Sequence, residues 1–133
     1  MTFLIDTHYL LWMAVRPEQV DPWAKALLED LSNTVLLSAA SVYEIGIKVR
    51  AGRLPEAVEF ERSLLENVAG MGITIVDLTP SVMLRAARFA ATHEDPFDRM
   101  IAAQVIHLDL DLLSVDAKLD SFGVRRLRPP NPN

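Results

Sequence analysis

The chain has 133 residues, of which half are hydrophobic and 23% are charged. This length predicts one domain that buries about two-thirds of the surface exposed by its unfolded chain. The formal net charge of −5 argues against a protein that coats nucleic acid through bulk positive charge. The sequence has no apolar run near the roughly 20 residues of a membrane-spanning helix and no signal-peptide pattern at its start. We therefore expect a cytoplasmic protein that does not enter a membrane.

Short apolar runs alternate with longer stretches of helical periodicity. The short runs predict strands at residues 2–5, 35–37, 73–76, 112–115 and, at an edge, 123–127. The longer stretches predict helices at residues 9–15, 21–32, 41–51, 55–69, 80–90 and 95–107. This alternation predicts a three-layer α/β/α domain, with a mainly parallel central sheet of four to five strands. We assign residues 1–128 to this single domain and 129–133 to a flexible tail.

The residue types restrict the chemistry of any metal site. Cysteine is absent, and the three histidines, His8, His93 and His107, do not have the spacing of zinc ligands. These facts exclude a disulfide framework and a thiolate nucleophile, and they argue against soft-metal chemistry. A metal would have to be bound mainly by carboxylate oxygens.

The segment DPFDRMIAAQ, residues 95–104, has the pattern of a helix start. Asp95 is at the N-cap position, Pro96 suits the first turn, and Asp98 is the third helical residue. There its carboxylate meets free backbone N–H groups and the positive end of the helix dipole. Capping alone can therefore account for both acids.

Acidic residues recur beyond the predicted strands. Asp6 and Asp116 each follow a strand, Glu44 is expected in the first turn of the helix after the second strand, and Asp98 begins a helix. Each has an alternative role as a cap or a surface acid, but ligands of parallel α/β sheets bind beyond the carboxyl ends of the strands. Four carboxylates gathered at that edge would repel one another unless they were protonated or neutralised by a cation. An all-oxygen site suits Mg²⁺ or Mn²⁺ and phosphoryl transfer to water.

Four blocks of the sequence together resemble a known family. In chain order they are FLIDTHYLLW, LSAASVYEIGIK, DPFDRMIAAQ and LLSVDAKLDSFGV. They resemble PIN-domain proteins over essentially the entire chain, in particular the VapC-type toxins of toxin–antitoxin pairs. The resemblance implies a Mg²⁺- or Mn²⁺-dependent endoribonuclease with Asp6, Glu44, Asp98 and Asp116 as its catalytic acids, Glu44 holding the metal directly or through water. It also implies an RNA substrate, a homodimer, and a cognate antitoxin that lays a helix across an apolar groove.

Further residues near these blocks have more than one possible role. Asp120 is an alternative to Asp116 as the fourth acid, and Asp95 is a cap that could also support the site. Thr7 either caps the first helix or orients a metal-bound water, and Arg99 either pairs with an acid, contacts phosphate or forms a surface salt bridge. The basic residues form either RNA contacts or a solvated face; they are Lys48, Arg50, Arg53, Arg125, Arg126 and Arg128.

Two other functions are compatible with acids at strand ends. A Mg²⁺-dependent phosphatase or receiver-like domain fits less well, because the second acid expected after the first strand is replaced by His8. Asp77 is the available phospho-accepting aspartate for a receiver, but no acid lies beside Asp6. The other alternative is a PIN-like scaffold that binds RNA or protein without cleaving it.

Overall fold

Residues 1–90 and 92–130, which the computed structural model describes, contain five strands paired into one sheet. The strands are β1 (Thr2–Ile5), β2 (Thr34–Ser38), β3 (Ile73–Val76), β4 (Asp111–Leu113) and β5 (Arg125–Arg126). Their order is β3-β2-β1-β4-β5, and every pairing is parallel. The chain builds outward from β1 through β2 to β3 and then crosses to the other side of β1. The strand order therefore reverses at β1, which is where parallel α/β sheets bind their ligands.

Helices cover both faces of the sheet, which confirms the predicted α/β architecture. They are α1 (Thr7–Val15), α2 (Pro22–Glu29), α3 (Ala39–Arg50), α4 (Val58–Arg62), α5 (Leu64–Gly70), α6 (Pro80–Arg88) and α7 (Pro96–His107). The described residues also contain three 3₁₀ segments, Pro17–Gln19, Pro55–Ala57 and Ala117–Phe122. In the part of the chain described, no helix is long and apolar enough to cross a membrane.

The central strand β1 is buried on both sides. Phe3 and Ile5 pack into one apolar cluster with α1, α2 and α5, whereas Leu4 packs into a second cluster with α7. All three side chains are fully buried. Successive strand residues face opposite sides of the sheet, so a strand covered on both faces is apolar throughout. This burial fixes the end of β1, and with it the position of Asp6.

Helix α3 begins earlier than the sequence predicts. The Ser38 hydroxyl accepts the Ala40 N–H at 3.0 Å and caps the helix at Ala39, two residues before the predicted start. The prediction that Glu44 belongs to the first turn was therefore wrong, because a turn takes 3.6 residues and Glu44 is the sixth. Glu44 lies in the second turn, where its side chain faces the interior.

The predicted helix over residues 55–69 is broken into three pieces. Pro55–Ala57 is a 3₁₀ turn, and α4 is separated from α5 by Ser63, whose φ of −123° and ψ of 46° are not helical. The Asn67 side chain donates to the Phe60 carbonyl at 2.9 Å, which replaces the helical bond that the break removes. Hydrophobic periodicity in the sequence does not predict a hydrogen bond of this kind between a side chain and the backbone.

The carboxyl-terminal strands are shorter than predicted. β4 ends at Leu113, and β5 contains only Arg125 and Arg126. β5 starts later than predicted because Gly123 has a positive φ of 85° and ends the preceding 3₁₀ segment. Such a backbone conformation belongs to a helix end and not to a strand. Residues 129–130 have no regular secondary structure, and the rest of the predicted tail, 131–133, lies outside the described residues.

Candidate functional site

The four predicted acids line one pocket at the carboxyl-terminal edge of the sheet. Asp6 follows β1, Glu44 comes from α3 behind β2, Asp98 from the first turn of α7, and Asp116 from the loop after β4. The pocket has a volume of about 410 Å³, and its lining consists of Asp6, Thr7, His8, Glu44, Lys48, His93, Asp95, Asp98, Asp116 and Lys118. The parallel sheet thus brings together residues that are up to 110 positions apart in the chain.

Asp6 is a buried carboxylate that has a hydrogen bond to each oxygen. Its Oδ1 accepts the Tyr9 N–H at 2.9 Å and caps α1, while its Oδ2 accepts the Ser114 hydroxyl at 2.6 Å. The side chain is 4% exposed as a residue, and burial raises the pKa of this carboxyl above its usual range, although both hydrogen bonds oppose the rise. A buried anion of this kind is stabilised by a bound cation.

Ser114 joins Asp6 to the segment that contains Asp116. Its hydroxyl oxygen also accepts the Asp116 N–H at 3.1 Å, and the Asp116 carboxylate accepts the Lys118 N–H at 2.9 Å. The sequence analysis missed Ser114. The only signal was its place directly after β4, and a serine there is equally typical of a turn.

Glu44 is also buried, and both its oxygens have donors. The Thr7 hydroxyl donates to Oε1 at 2.6 Å, and the Lys48 ammonium lies 2.5 Å from Oε2. Thr7 therefore links α1 to α3, while Asp6 caps α1. Lys48 is four residues after Glu44 on the same helix, the spacing at which opposite charges meet. The Glu44 charge is thus balanced by a cation of its own helix.

Asp98 pairs with a histidine that the sequence analysis did not connect to the site. His93 Nε2 lies 2.7 Å from Asp98 Oδ2. The pKa of Asp98 is raised to about 6, first by partial burial and then by the neighbouring Asp95 charge, against the lowering effect of His93. Asp95 itself caps α7, since its Oδ1 accepts the N–H groups of Phe97 and Asp98 at 2.9 and 3.3 Å.

Asp120 and Arg99 lie outside the pocket lining. Asp120 accepts bonds from Arg126 and Arg128 at 3.0 to 3.2 Å, and these guanidinium groups hold the pKa of its carboxyl below the usual range. Arg99 donates to the carbonyls of Ala86, Phe89 and His93 at 3.0, 2.7 and 3.1 Å. Asp116, rather than Asp120, is the acid of the last block that lies at the pocket.

The predicted basic residues are distributed over several surfaces. Lys48 lines the pocket, Arg50 lines a neighbouring groove, and Arg53 is exposed beyond the end of α3. Arg125 pairs with Asp109 and Asp111. Lys48 is therefore the predicted RNA-contacting residue nearest the acids.

The donor set is compatible with a hydrated hard cation. Among the residues described, no three histidine or acidic side chains are grouped closely enough to hold one ion by themselves. Mg²⁺ usually binds through one or two carboxylates and keeps several waters, so it does not need such a closed cage. The oxygen-rich lining and the desolvated Asp6 fit this mode of binding.

Comparison with known proteins identifies the family. The PIN-domain family profile matches residues 3–124. The chain belongs to the PIN-domain family. PIN domains are generally nucleases, and these nucleases generally use divalent metals. No curated protein matches this PIN domain.

Several solved structures share the fold of this PIN domain. VapBC-1 from nontypeable Haemophilus influenzae has 17% identity and a TM-score of 0.64, covering 96% of this chain and 97% of its own. VapBC2 from Rickettsia felis bound to a promoter DNA fragment has 15% identity and a TM-score of 0.71, covering 96% and 98%. FitAcB from Neisseria gonorrhoeae has 24% identity and a TM-score of 0.60, covering 97% and 98%. At these identities the likeness concerns the fold alone.

Proposed function

We propose that this PIN domain is a Mg²⁺- or Mn²⁺-dependent endoribonuclease and the VapC-type toxin of a toxin–antitoxin pair, acting on RNA in the cytoplasm. The observation that carries the proposal is the meeting of Asp6, Glu44, Asp98 and Asp116 in one pocket. Family membership supports the nuclease activity, and the VapBC structures of the same fold support the toxin role.

The pocket residues divide into metal-binding and supporting groups. A bound divalent ion supplies an activated water and stabilises negative charge on the phosphate. Asp6, Asp98 and Asp116 would hold the ion, while Ser114 and His93 each keep one carboxylate oxygen in place. Glu44, already paired with Lys48, would reach the ion through water.

Basic groups near the acids supply the contacts to the substrate. Lys48 and Lys118 line the pocket, and their ammonium groups would bind phosphate oxygens of the RNA. Arg50 and Arg53 continue from Lys48 along the end of α3 and would follow the RNA backbone. Because the net charge of the chain is −5, RNA would be bound by this group of basic residues and not by the overall charge of the protein.

An apolar groove beside the pocket suits an antitoxin helix. It lies between α3 and the α4–α5 segment, has a volume of about 610 Å³, and includes Tyr43, Ile47 and Leu65. These three side chains are 64%, 38% and 58% exposed, which is unusual for apolar residues unless a partner covers them. Amphipathic helices bind to such grooves. A homodimer is proposed as well, since α6 exposes Met83 and Leu84.

Cleavage of RNA by the purified chain tests the proposal. We expect cleavage with Mg²⁺ or Mn²⁺, none with EDTA, and a loss of at least about a hundredfold in D6N and D98N, since changes even behind the ligands of a metal cost 10- to 100-fold. The matched control is D77N, because Asp77 directly follows β3 but does not line the pocket. D77N should cleave like the wild type.

Three outcomes would overturn the proposal. If folded wild-type protein free of antitoxin leaves every RNA intact, the chain is a non-cleaving scaffold. Equal cleavage by the wild type, D6N and D98N would place the chemistry elsewhere. Release of phosphate from small phosphate esters with RNA left intact would indicate a phosphatase.

A further inference from the structure

We propose that His93 is a positioning residue of the metal site, which holds one oxygen of Asp98 and leaves the other for the cation. This inference rests on the proposed function. It assigns a role to a loop residue that lies before α7 and five positions from Asp98.

The contact between His93 and Asp98 is short and partly shielded from water. The 2.7 Å between Nε2 and Oδ2 is at the short end of the range for N–H···O bonds and typical of a charge-assisted bond. The side chains are 14% and 25% exposed. An ionised carboxylate can only accept, so the proton of this bond belongs to Nε2.

His93 is held in place through both its ring and its backbone. The ring packs against Phe122, with 5.4 Å between centroids, and Phe122 in turn packs against Phe89 at 4.7 Å. The His93 carbonyl accepts a bond from Arg99, which also binds the Phe89 carbonyl. The imidazole is therefore held in position by contacts other than the one with Asp98.

The bond to Asp98 is not needed to begin the helix. Asp95 already accepts the N–H groups of Phe97 and Asp98, so the amino terminus of α7 is capped without His93. The two buried acids of the pocket also have a side-chain donor behind them: Ser114 holds one oxygen of Asp6, and Thr7 holds one oxygen of Glu44. Their second oxygens are bonded as well, to the Tyr9 N–H and to Lys48. Donors behind the ligands of a metal orient them in this way.

Two substitutions separate the hydrogen bond from the packing. H93F keeps a ring against Phe122 but removes the donor, whereas H93Q keeps an N–H donor but removes the ring. H107F is the control, because His107 is exposed at the end of α7. Mn²⁺ affinity is measured by electron paramagnetic resonance, and folding by melting temperature in EDTA.

We expect H93F to raise the Kd for Mn²⁺ about 10- to 100-fold, the usual effect of losing a partner behind a ligand. H93Q should bind Mn²⁺ nearly as well as the wild type, and H107F should be unchanged. Wild-type affinity in H93F would overturn the role of His93, while loss of Mn²⁺ binding in D98N alone would leave the proposed function standing. If the wild type binds no Mn²⁺ and cuts no RNA, both proposals fail.

If H93F does not fold, a measurement on the wild type tests whether His93 donates a hydrogen bond to Asp98. Long-range ¹H–¹⁵N spectra report which imidazole nitrogen carries the proton. We expect the proton on Nε2 both without metal and with Mg²⁺. Loss of that proton on addition of Mg²⁺ would contradict the proposal, because His93 could then no longer donate to Asp98.

Discussion

At the scale of single residues, the pocket combines unfavourable burial with specific hydrogen bonds. Asp6 and Glu44 are 4% and 5% exposed, and Asp98 is raised in pKa to about 6. Isolated charges in such surroundings are costly, and each of these acids has a donor on at least one oxygen. The carboxylates that are buried at this desolvation cost are the ones proposed to bind a cation, and the positive charge of the cation would offset the cost.

The last acidic pair provides a residue-scale prediction. D116N should weaken Mn²⁺ binding, whereas D120N should leave it unchanged and lower the stability of the fold, because Asp120 pairs with Arg126 and Arg128. These arginines lower the pKa of Asp120 in the folded protein. The wild type should therefore be more stable than D120N above pH about 4, where a free aspartate is ionised.

Urea unfolding of both proteins at pH 7 and near pH 3 checks the sign of this effect. The advantage of the wild type over D120N should shrink as the pH falls and Asp120 becomes protonated in the folded state. The asparagine of D120N does not titrate, so the difference in unfolding free energy between the wild type and D120N isolates the contribution of the Asp120 charge. An advantage that grows towards low pH would contradict the assignment, as would loss of Mn²⁺ binding in D120N.

The sequence predicts the four acids of the pocket but not the donors Ser114 and His93. Asp6 and Asp116 could be placed at the site because each follows a buried strand, and parallel strands end at one edge. Ser114 and His93 could not be placed at the site from the sequence, because their contacts with Asp6 and Asp98 depend on how the loops pack. Three further residues line the pocket although no spacing in the sequence predicts it: His8, His93 and Lys118.

At the scale of elements, the Arg99 side chain joins the end of α6 to the described part of the connection between α6 and α7. Arg99 donates to the Ala86 and Ala87 carbonyls at the end of α6 and to those of Phe89 and His93 in the connection. A guanidinium group can satisfy several carbonyls at once because its N–H groups form a planar fork. The segment that contains His93 is therefore tied to the helix before it.

Replacement of Arg99 by lysine should loosen this connection. R99K keeps the positive charge but loses the planar fork, and we expect a loss of about 2 kcal/mol in the free energy of unfolding. Hydrogen exchange should accelerate in residues 89–95 more than in β1. The control is R85K, an α6 position with the same change. Equal exchange in wild type and R99K would show that Arg99 does not hold the connection.

Element boundaries followed the sequence where a cap or a proline set them. Asp95–Pro96 marked the start of α7 correctly, since its capping bonds are local. The break at Ser63 was missed because it depends on Asn67 bonding to Phe60. The alternation of strands and helices predicted a parallel sheet, but the order of its strands does not follow from it.

At the scale of the whole molecule, the acidic pocket and the apolar groove share helix α3. Tyr43 and Ile47 belong to the groove, while Glu44 and Lys48, each the next residue in sequence, belong to the pocket. One helix thus presents one side to the proposed cleavage site and another to the proposed antitoxin. A protein bound in the groove would lie close enough to affect access to the pocket.

A charge placed in the groove should weaken binding of the antitoxin proposed above and leave RNA cleavage unchanged. L65R should weaken binding of the proposed antitoxin by about 2 to 4 kcal/mol, roughly 30- to 1000-fold. L31R is the matched control, because Leu31 is 99% exposed and outside the groove. Calorimetry measures binding, and RNA cleavage should be equal in both variants. Wild-type affinity in L65R would exclude the groove as the docking site.

The central claim is that distant acids form one site for a divalent ion. The most direct test is an anomalous difference map from a crystal of this chain soaked in Mn²⁺. We predict a peak in the pocket, within coordination distance of Asp6 and at least one of Asp98 and Asp116, and no such peak in a D6N crystal. A fully occupied Mn²⁺ peak elsewhere on the molecule, with none in the pocket, would contradict the account.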